Sequence, residues 1–315
     1  LTELAATAAV TTEFENVPAP ALASLATRLR VRPFPQTVAI AQDRGLEKEF
    51  LRTAGIATAP FVPVTDPDAL EAAWEQIGAP ALLKTCRLGY DGKGQAAVTT
   101  REELRRAWAH FGGVPCVLER RLALEGEISV VLARGDDGAI EAFPPAENVH
   151  CNGILETTTV PARFPDPLVT EARRLAGRVA DRLGYVGVLG VEMFIANGGM
   201  LFVNEIAPRP HNSGHFTQDA STVCQFEQQV RTLCGLPLAR PRLLSPVCMV
   251  NLLGDLWLSG EPDWAAVLSL PGIKLHLYGK KEPRPGRKMG HLNCLADTAS
   301  RAHTLAREAL ARLTR

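Results

Sequence analysis

The sequence predicts an α+β chain: lobes of mixed strand and helix around a cleft, the tail end of an α/β domain in front, and a small β-rich lobe behind. Three observations carry that reading. Strand-length apolar runs and amphipathic helix-length stretches mix along the 315 residues without strict βαβ alternation. Asn197-Gly198 divides two apolar runs into a hairpin. The Gly-rich stretch 89–95 separates two strand-like runs instead of opening a helix.

In order, 9–12 reads as a strand and 21–30 as a short helix, with Pro33 and Pro35 marking a boundary. Residues 43–54 read as a helix closed by Gly55. Asp66 and Pro67 open another, which Gly78 ends. Strands follow at 80–85 and 96–98. Thr100 and Glu103 form a capping box for a helix ending near Phe111. Residues 114–119 and 127–133 read as strands, and 166–183 as a long amphipathic helix stopped by Gly184. The hairpin spans 188–206, a helix 217–234, two strands 247–253 and 273–278, and a closing helix 299–315. The expected domains are a front remnant at 1–36, a central domain at 37–240 with a lobe at about 80–135, and a last lobe at 241–315.

Composition excludes several classes. Lys+Arg and Asp+Glu both total 34, so no general basic field supports nucleic-acid binding. No apolar run approaches the roughly 18 residues of a membrane span. The first residues lack both the basic region of a signal peptide and an initiator Met, which suggests a start inside a longer protein. Seven cysteines, an odd count without C-x-x-C, point to a reduced, cytoplasmic protein.

Four segments carry chemistry. Lys84 precedes Gly89-Tyr90-Asp91-Gly92-Lys93-Gly94-Gln95, whose glycines let backbone N–H groups approach phosphate oxygens. In the hairpin, a two-residue turn pairs Glu192 with Val203. Glu205 then becomes its same-face diagonal neighbour, about 7 Å away. Two carboxylates that close repel unless a cation lies between them, and oxygen ligands of this kind suit Mg²⁺ with nucleotide phosphates. Arg209-Pro210-His211-Asn212-Ser213-Gly214-His215 concentrates hydrogen-bonding groups, and Pro210 and Gly214 argue against a helical zinc site there. Tyr278 to Lys288 holds a dense cationic run that either lies solvated or clamps a phosphate monoester.

Together with Thr12-Glu13-Phe14-Glu15-Asn16-Val17-Pro18, Glu147-Asn148-Val149-His150, Asn204-Glu205-Ile206-Ala207-Pro208-Arg209 and Pro285-Gly286-Arg287-Lys288-Met289-Gly290-His291, these segments resemble the ATP-grasp N5-carboxyaminoimidazole ribonucleotide synthetases, over nearly the whole chain. The resemblance implies an ATP-grasp fold of two α/β lobes clamping ATP, preceded by the remnant of a Rossmann-like pre-ATP-grasp domain. It implies a cytoplasmic, homodimeric ligase that uses ATP, Mg²⁺ and bicarbonate to carboxylate aminoimidazole ribonucleotide. Arg44 and Lys84 would meet the ATP phosphates and 89–95 would form the lid. Glu119 would be the adenine hinge, with Arg120, Arg121 and Leu122 passing the base. Glu127 would take the ribose hydroxyls, His150 would lie near the nucleotide, and Glu192 and Glu205 would bind Mg²⁺ beside Asn204. Tyr90, Asp91, Arg209, His211, Asn212 and Ser213, with Glu13 or Glu15, would form the ribonucleotide site. Lys280 and Arg287 would clamp its phosphate, and Asp91 would handle the amine proton. The alternatives are another ATP-grasp ligase, a formate-dependent transformylase, or a nucleotide-binding protein without turnover.

Overall fold

The computed structural model describes residues 7–89 and 91–313. At the front, β1 (Ala9–Val10) runs parallel to β2 (Arg30–Val31). α1 (Ala19–Ala26) lies between them in sequence, and Leu22, Val31 and Val38 form a small core. α2 (Pro35–Ala41) follows, so Pro35 begins a helix where a boundary was expected. Its missing N–H costs nothing at a first helical position. α3 (Arg44–Thr53) is capped by Asp43, whose carboxylate accepts the Gly45 and Leu46 N–H groups.

The next unit is an antiparallel sheet in the order β3-β6-β4-β5. It is built from β3 (Phe61–Val64), α4 (Pro67–Ile77), β4 (Ala81–Thr85), β5 (Gln95–Val98), α5 (Arg101–His110) and β6 (Cys116–Arg120). Leu70, Ala73 and Ile77 of α4 and Leu104 of α5 bury Ala81, Leu83, Cys116 and Leu118. Alternation along the strands leaves Leu82, Lys84 and Glu119 on the opposite face.

β7 (Leu124–Arg134), β8 (Ile140–Ala142), β9 (Ala146–Cys151) and β10 (Ile154–Val160) come next. α6 (Asp166–Arg182), β11 (Gly187–Ala196), β12 (Met200–Ala207), α7 (Thr217–Ala220) and α8 (Gln225–Cys234) follow. The chain continues through β13 (Val247–Leu253), α9 (Trp264–Leu268), β14 (Ile273–Leu277), β15 (Lys288–Leu295) and α10 (Ala299–Leu313). One nine-stranded sheet runs β12-β11-β7-β9-β10-β13-β15-β14, with β8 beside β7. The C-terminal strands thus extend the central sheet by pairing β13 with β10. The principal core packs α6 residues Ala172, Leu175, Ala176 and Val179 on β7 and β11.

The expected helix over 217–234 is broken. Thr222 N–H bonds to Arg242 O, Ser221 bridges Leu243, and Cys224 caps a new start at Gln225. The helix expected over 21–30 ends at Ala26 and Arg30 lies in β2; β2, β3, β8, β9, β10 and β15 have no counterpart in the sequence reading. The hairpin of β9 and β10 turns on Asn152-Gly153, both at positive φ, the same turn signal read at 197–198. Among the described residues, no helix is long and apolar enough to cross a membrane.

Candidate active site

The carboxylate hairpin departs from its expected register. Asn197, Gly198 and Gly199 all have positive φ (53°, 78° and 90°), so Ala196 pairs with Met200 across a three-residue turn. Glu125 holds that turn by accepting the Gly198 and Gly199 N–H groups at 2.6 and 3.1 Å. A bulge then falls between the pairs Met193–Val203 and Glu192–Glu205 and leaves Asn204 as the extra residue. Glu192 and Glu205 are therefore directly opposed, not diagonal. Burial pushes the Glu205 carboxyl up, and the neighbouring Glu192 adds to this. Burial pushes Glu192 the same way, but the His211 imidazole, together with His150 and Lys288, outweighs it and brings Glu192 to about 2. His211 Nε2 lies 3.1 Å from Glu192 Oε1.

α3 lays a charged face beside this pair. Arg44 stands 3.6 Å from Glu205. Glu47 and Lys48 are buried one turn on. Lys48 and Lys84 converge on buried Glu119, at 3.4 and 2.8 Å. Uncompensated charges at such depth would be costly, and the alternation of cation and carboxylate satisfies them.

The Gly-rich loop closes the far side. Gly94 has φ +70°, and a Cβ there would lie 2.5 Å from Thr85 Oγ1, so only glycine fits. Asp91 receives the Lys288 ammonium at 2.7 Å. His150 Nδ1 meets Glu127 Oε2 at 2.5 Å. Burial lowers the His150 pKa, but the adjoining Glu127 carboxylate and the charge of Glu192 reverse that, and the net shift is upward. Arg209 holds Glu15 through Nη2 at 2.8 Å. Asn212 faces the cavity with both side-chain polar atoms buried and unbonded.

These groups enclose a polar cavity of about 280 Å³. A more apolar cavity of about 540 Å³ adjoins it, lined by Ala59, Pro80, Arg120, Arg121, Leu122 and Ala123. Leu82, Leu124 and Phe194 border both, so the two form one cleft with an apolar end and a charged end.

Most expected residues converge here: Arg44, Lys84, Gly89, Asp91, Gly92, Lys93, Gln95, Glu127, His150, Glu192, Asn204, Glu205, Arg209, His211 and Asn212 all line the charged end. Some placements are corrected. Glu119 borders the apolar end, as the hinge reading expects, while its carboxylate is taken up by two lysines. Ser213 is fully buried and its hydroxyl bonds to His211 and Ser129, beneath the cavity wall. Glu15 lines the cavity, whereas Glu13 is exposed and does not. Lys280 and Arg287 donate to the carbonyls of Lys288 and Glu282, and Lys288 is the cation of that run on the wall. Tyr90 lies outside the described residues. Glu47, Lys48 and Lys288 were missed. The spacing Arg44, Glu47, Lys48, Leu51 is i, i+3, i+4, i+7, so a charged stripe on a buried helix face was there to be read.

Family models match over three stretches: a ribonucleotide synthetase preATP-grasp domain at 1–42, an ATP-grasp domain at 49–226, and a phosphoribosylaminoimidazole carboxylase C-terminal domain at 247–304. The N5-carboxyaminoimidazole ribonucleotide synthase of Brucella melitensis is 45% identical over 295 residues, covering 93% of this chain and 80% of the relative. The crystal structure of N5-carboxyaminoimidazole ribonucleotide synthetase from Thermus thermophilus superposes with a TM-score of 0.87 at 41% identity, covering 98% of this chain and 82% of that one. N5-carboxyaminoimidazole synthase from Aspergillus clavatus, solved with ADP and 5-aminoimidazole ribonucleotide, gives 0.89 at 29% identity, covering 97% and 81%. With the fold, the cleft and relatives matched along most of their length, this chain belongs to the N5-carboxyaminoimidazole ribonucleotide synthase family of ATP-grasp ligases.

Proposed function

We propose that the chain converts 5-aminoimidazole ribonucleotide to its N5-carboxy derivative with ATP and bicarbonate. The observation that carries this reading is the single cleft, whose apolar end suits a purine base and whose charged end gathers Arg44, Lys84 and an opposed carboxylate pair. The backbone of 120–122 would border adenine, and Arg44 and Lys84 would meet the phosphates. Among the described residues, no three His, Cys, Asp or Glu groups could hold a metal unaided. Two opposed carboxylates with further oxygens from a nucleotide are nevertheless a donor set that Mg²⁺ accepts. Glu192 and Glu205, beside Asn204, would hold it; bound there with the nucleotide, Mg²⁺ offsets charge on the transferring phosphoryl group.

A bicarbonate oxygen attacks the γ-phosphorus of ATP, the bond to the β-phosphate oxygen breaks, and ADP and carboxyphosphate result. The substrate amine then takes up the carboxyl unit and phosphate leaves. Asp91, held by Lys288, would accept the amine proton. Carboxyphosphate is fragile in water, so the loop 89–95 would close over it. Arg209, His211 and Asn212, with Glu15, would orient the aminoimidazole. Lys288, Lys280 and Arg287 would serve its phosphate once the latter two leave their carbonyl partners. Phosphate release with ATP, bicarbonate and aminoimidazole ribonucleotide omitted in turn tests this. Release should need all three, and support by formate in place of bicarbonate would assign the cleft to a transformylase.

A further inference from the structure

β12 is an edge strand of the large sheet, so its outer N–H and C=O groups have no neighbouring strand. Around the bulge they are taken up one by one. Thr58 Oγ1 donates to Val203 O at 2.8 Å, and Val203 N–H donates to Ala57 O. Lys48 Nζ, itself bonded to Thr58 Oγ1 at 2.9 Å, reaches Asn204 O at 3.5 Å. Glu47 Oε1 accepts the Ile206 N–H at 2.5 Å. Adjacent residues of α3 thus grip the backbone immediately before and immediately after Glu205. A bulge is the point at which a ladder can slip by one residue, and such a slip here would turn Glu205 away from Glu192.

From this geometry we infer that Glu47 and Lys48 are positioning residues: they lock the Asn204 bulge and so hold Glu205 opposite Glu192 as a metal ligand. The inference rests on the reading of Glu192 and Glu205 as the Mg²⁺ pair. It predicts a selective effect. Metal held with nucleotide should weaken, while nucleotide alone should bind as before, because neither side chain lines the apolar end of the cleft.

The test uses the whole chain with Mn²⁺ as the probe. Mn²⁺ affinity is measured by electron paramagnetic resonance at saturating ADP, metal-free ADP affinity by calorimetry, and amide exchange over 203–206 by mass spectrometry. Glu47→Ala should weaken Mn²⁺ about 10–100-fold, the usual cost of losing a group that orients a ligand. It should speed exchange over 203–206 and leave metal-free ADP within about twofold. Glu47→Gln, whose amide oxygen still accepts from Ile206, should restore Mn²⁺ affinity to within about threefold of the unaltered protein. Glu47→Met, which fills the same volume without accepting, carries the test where Glu47→Ala does not fold, and Lys48→Met is read by amide exchange over 203–206 alone because it also unpairs Glu119. Unchanged Mn²⁺ affinity in Glu47→Ala and Glu47→Met, alongside its loss in Glu205→Gln, overturns the inference and leaves the metal reading standing. Parallel weakening of Mn²⁺ and metal-free ADP also overturns it, since that is what general loosening of α3 produces. If Glu205→Gln itself binds Mn²⁺ normally, the metal reading falls and takes the inference with it.

Discussion

The cleft is served by two sets of cations that could hardly differ more in setting. Arg44, Lys48 and Lys84 lie inside, and each meets a carboxylate: Glu205 for the first, Glu119 for the other two. Burial pushes the Lys48 ammonium down despite Glu119 alongside. The run from Lys280 to Lys288 sits at the rim, and its side chains rest on backbone carbonyls or on acids such as Glu282 and Asp91. A buried charge must be paired, so its position is set before any ligand arrives. A rim charge is hydrated and can exchange a carbonyl for a phosphate at little cost. The inner set suits a transition state, which needs aim, and the outer set suits capture of a substrate, which needs reach.

The largest effect should come from breaking the inner set's balance. Glu205→Gln leaves Arg44 without its nearest carboxylate and removes half of the opposed pair. Turnover should fall about 10²–10³-fold, the cost of one lost charge-stabilising group at a reacting centre. Steady-state rates across Mg²⁺ concentrations check this, and near-normal turnover at limiting Mg²⁺ would remove the pair from the chemistry.

A smaller effect is expected at the rim. Arg287→Ala should raise the apparent constant for aminoimidazole ribonucleotide roughly ten- to a hundredfold, the value of one charge-assisted contact, and leave that for ATP nearly unchanged. A shift in the ATP constant instead would assign the rim to the nucleotide and erase the division of labour.

The loop between the two sets should respond next. The described residues of this loop, Gly89 and 91–95, combine positive φ at Asp91, Gly92 and Gly94 with exposed or half-exposed positions. Their amides should exchange fast in the free protein and slow about tenfold or more with ADP. Equal exchange in both states would make the loop a fixed wall.

The last effect is one of stability, read without any ligand. Burial raises the Glu47 carboxyl from 4.5 to about 8, with Glu205 adding to the shift, against the pull of Arg44 and Lys48. The folded state therefore keeps a proton that the unfolded chain releases. This contribution is complete below 4.5 and is lost as the pH rises through about 8. Glu47→Gln keeps the neutral form at every pH. Its Tm relative to the unaltered protein should therefore climb steadily between about pH 5 and pH 8. A constant difference across that range would mean that Glu47 titrates normally.

What the residues alone determined was local. Asp66 and Thr100 cap the helices they were expected to cap, because those bonds span three residues and need no distant partner. The motifs at 89–95, 204–215 and 285–291 named the chemistry and the family because ligand-binding segments are dense in rare residue combinations. Tertiary structure decided the register of Glu192 against Glu205, since Glu125 and α3, distant in sequence, hold the turn and bulge that set it. It likewise turned Glu119 inward to Lys48 and Lys84 and sent Lys288 to the wall instead of Lys280. A buried charge goes where its counter-charge is, and a side chain at the rim points as its strand dictates; both depend on contacts between residues far apart in the sequence.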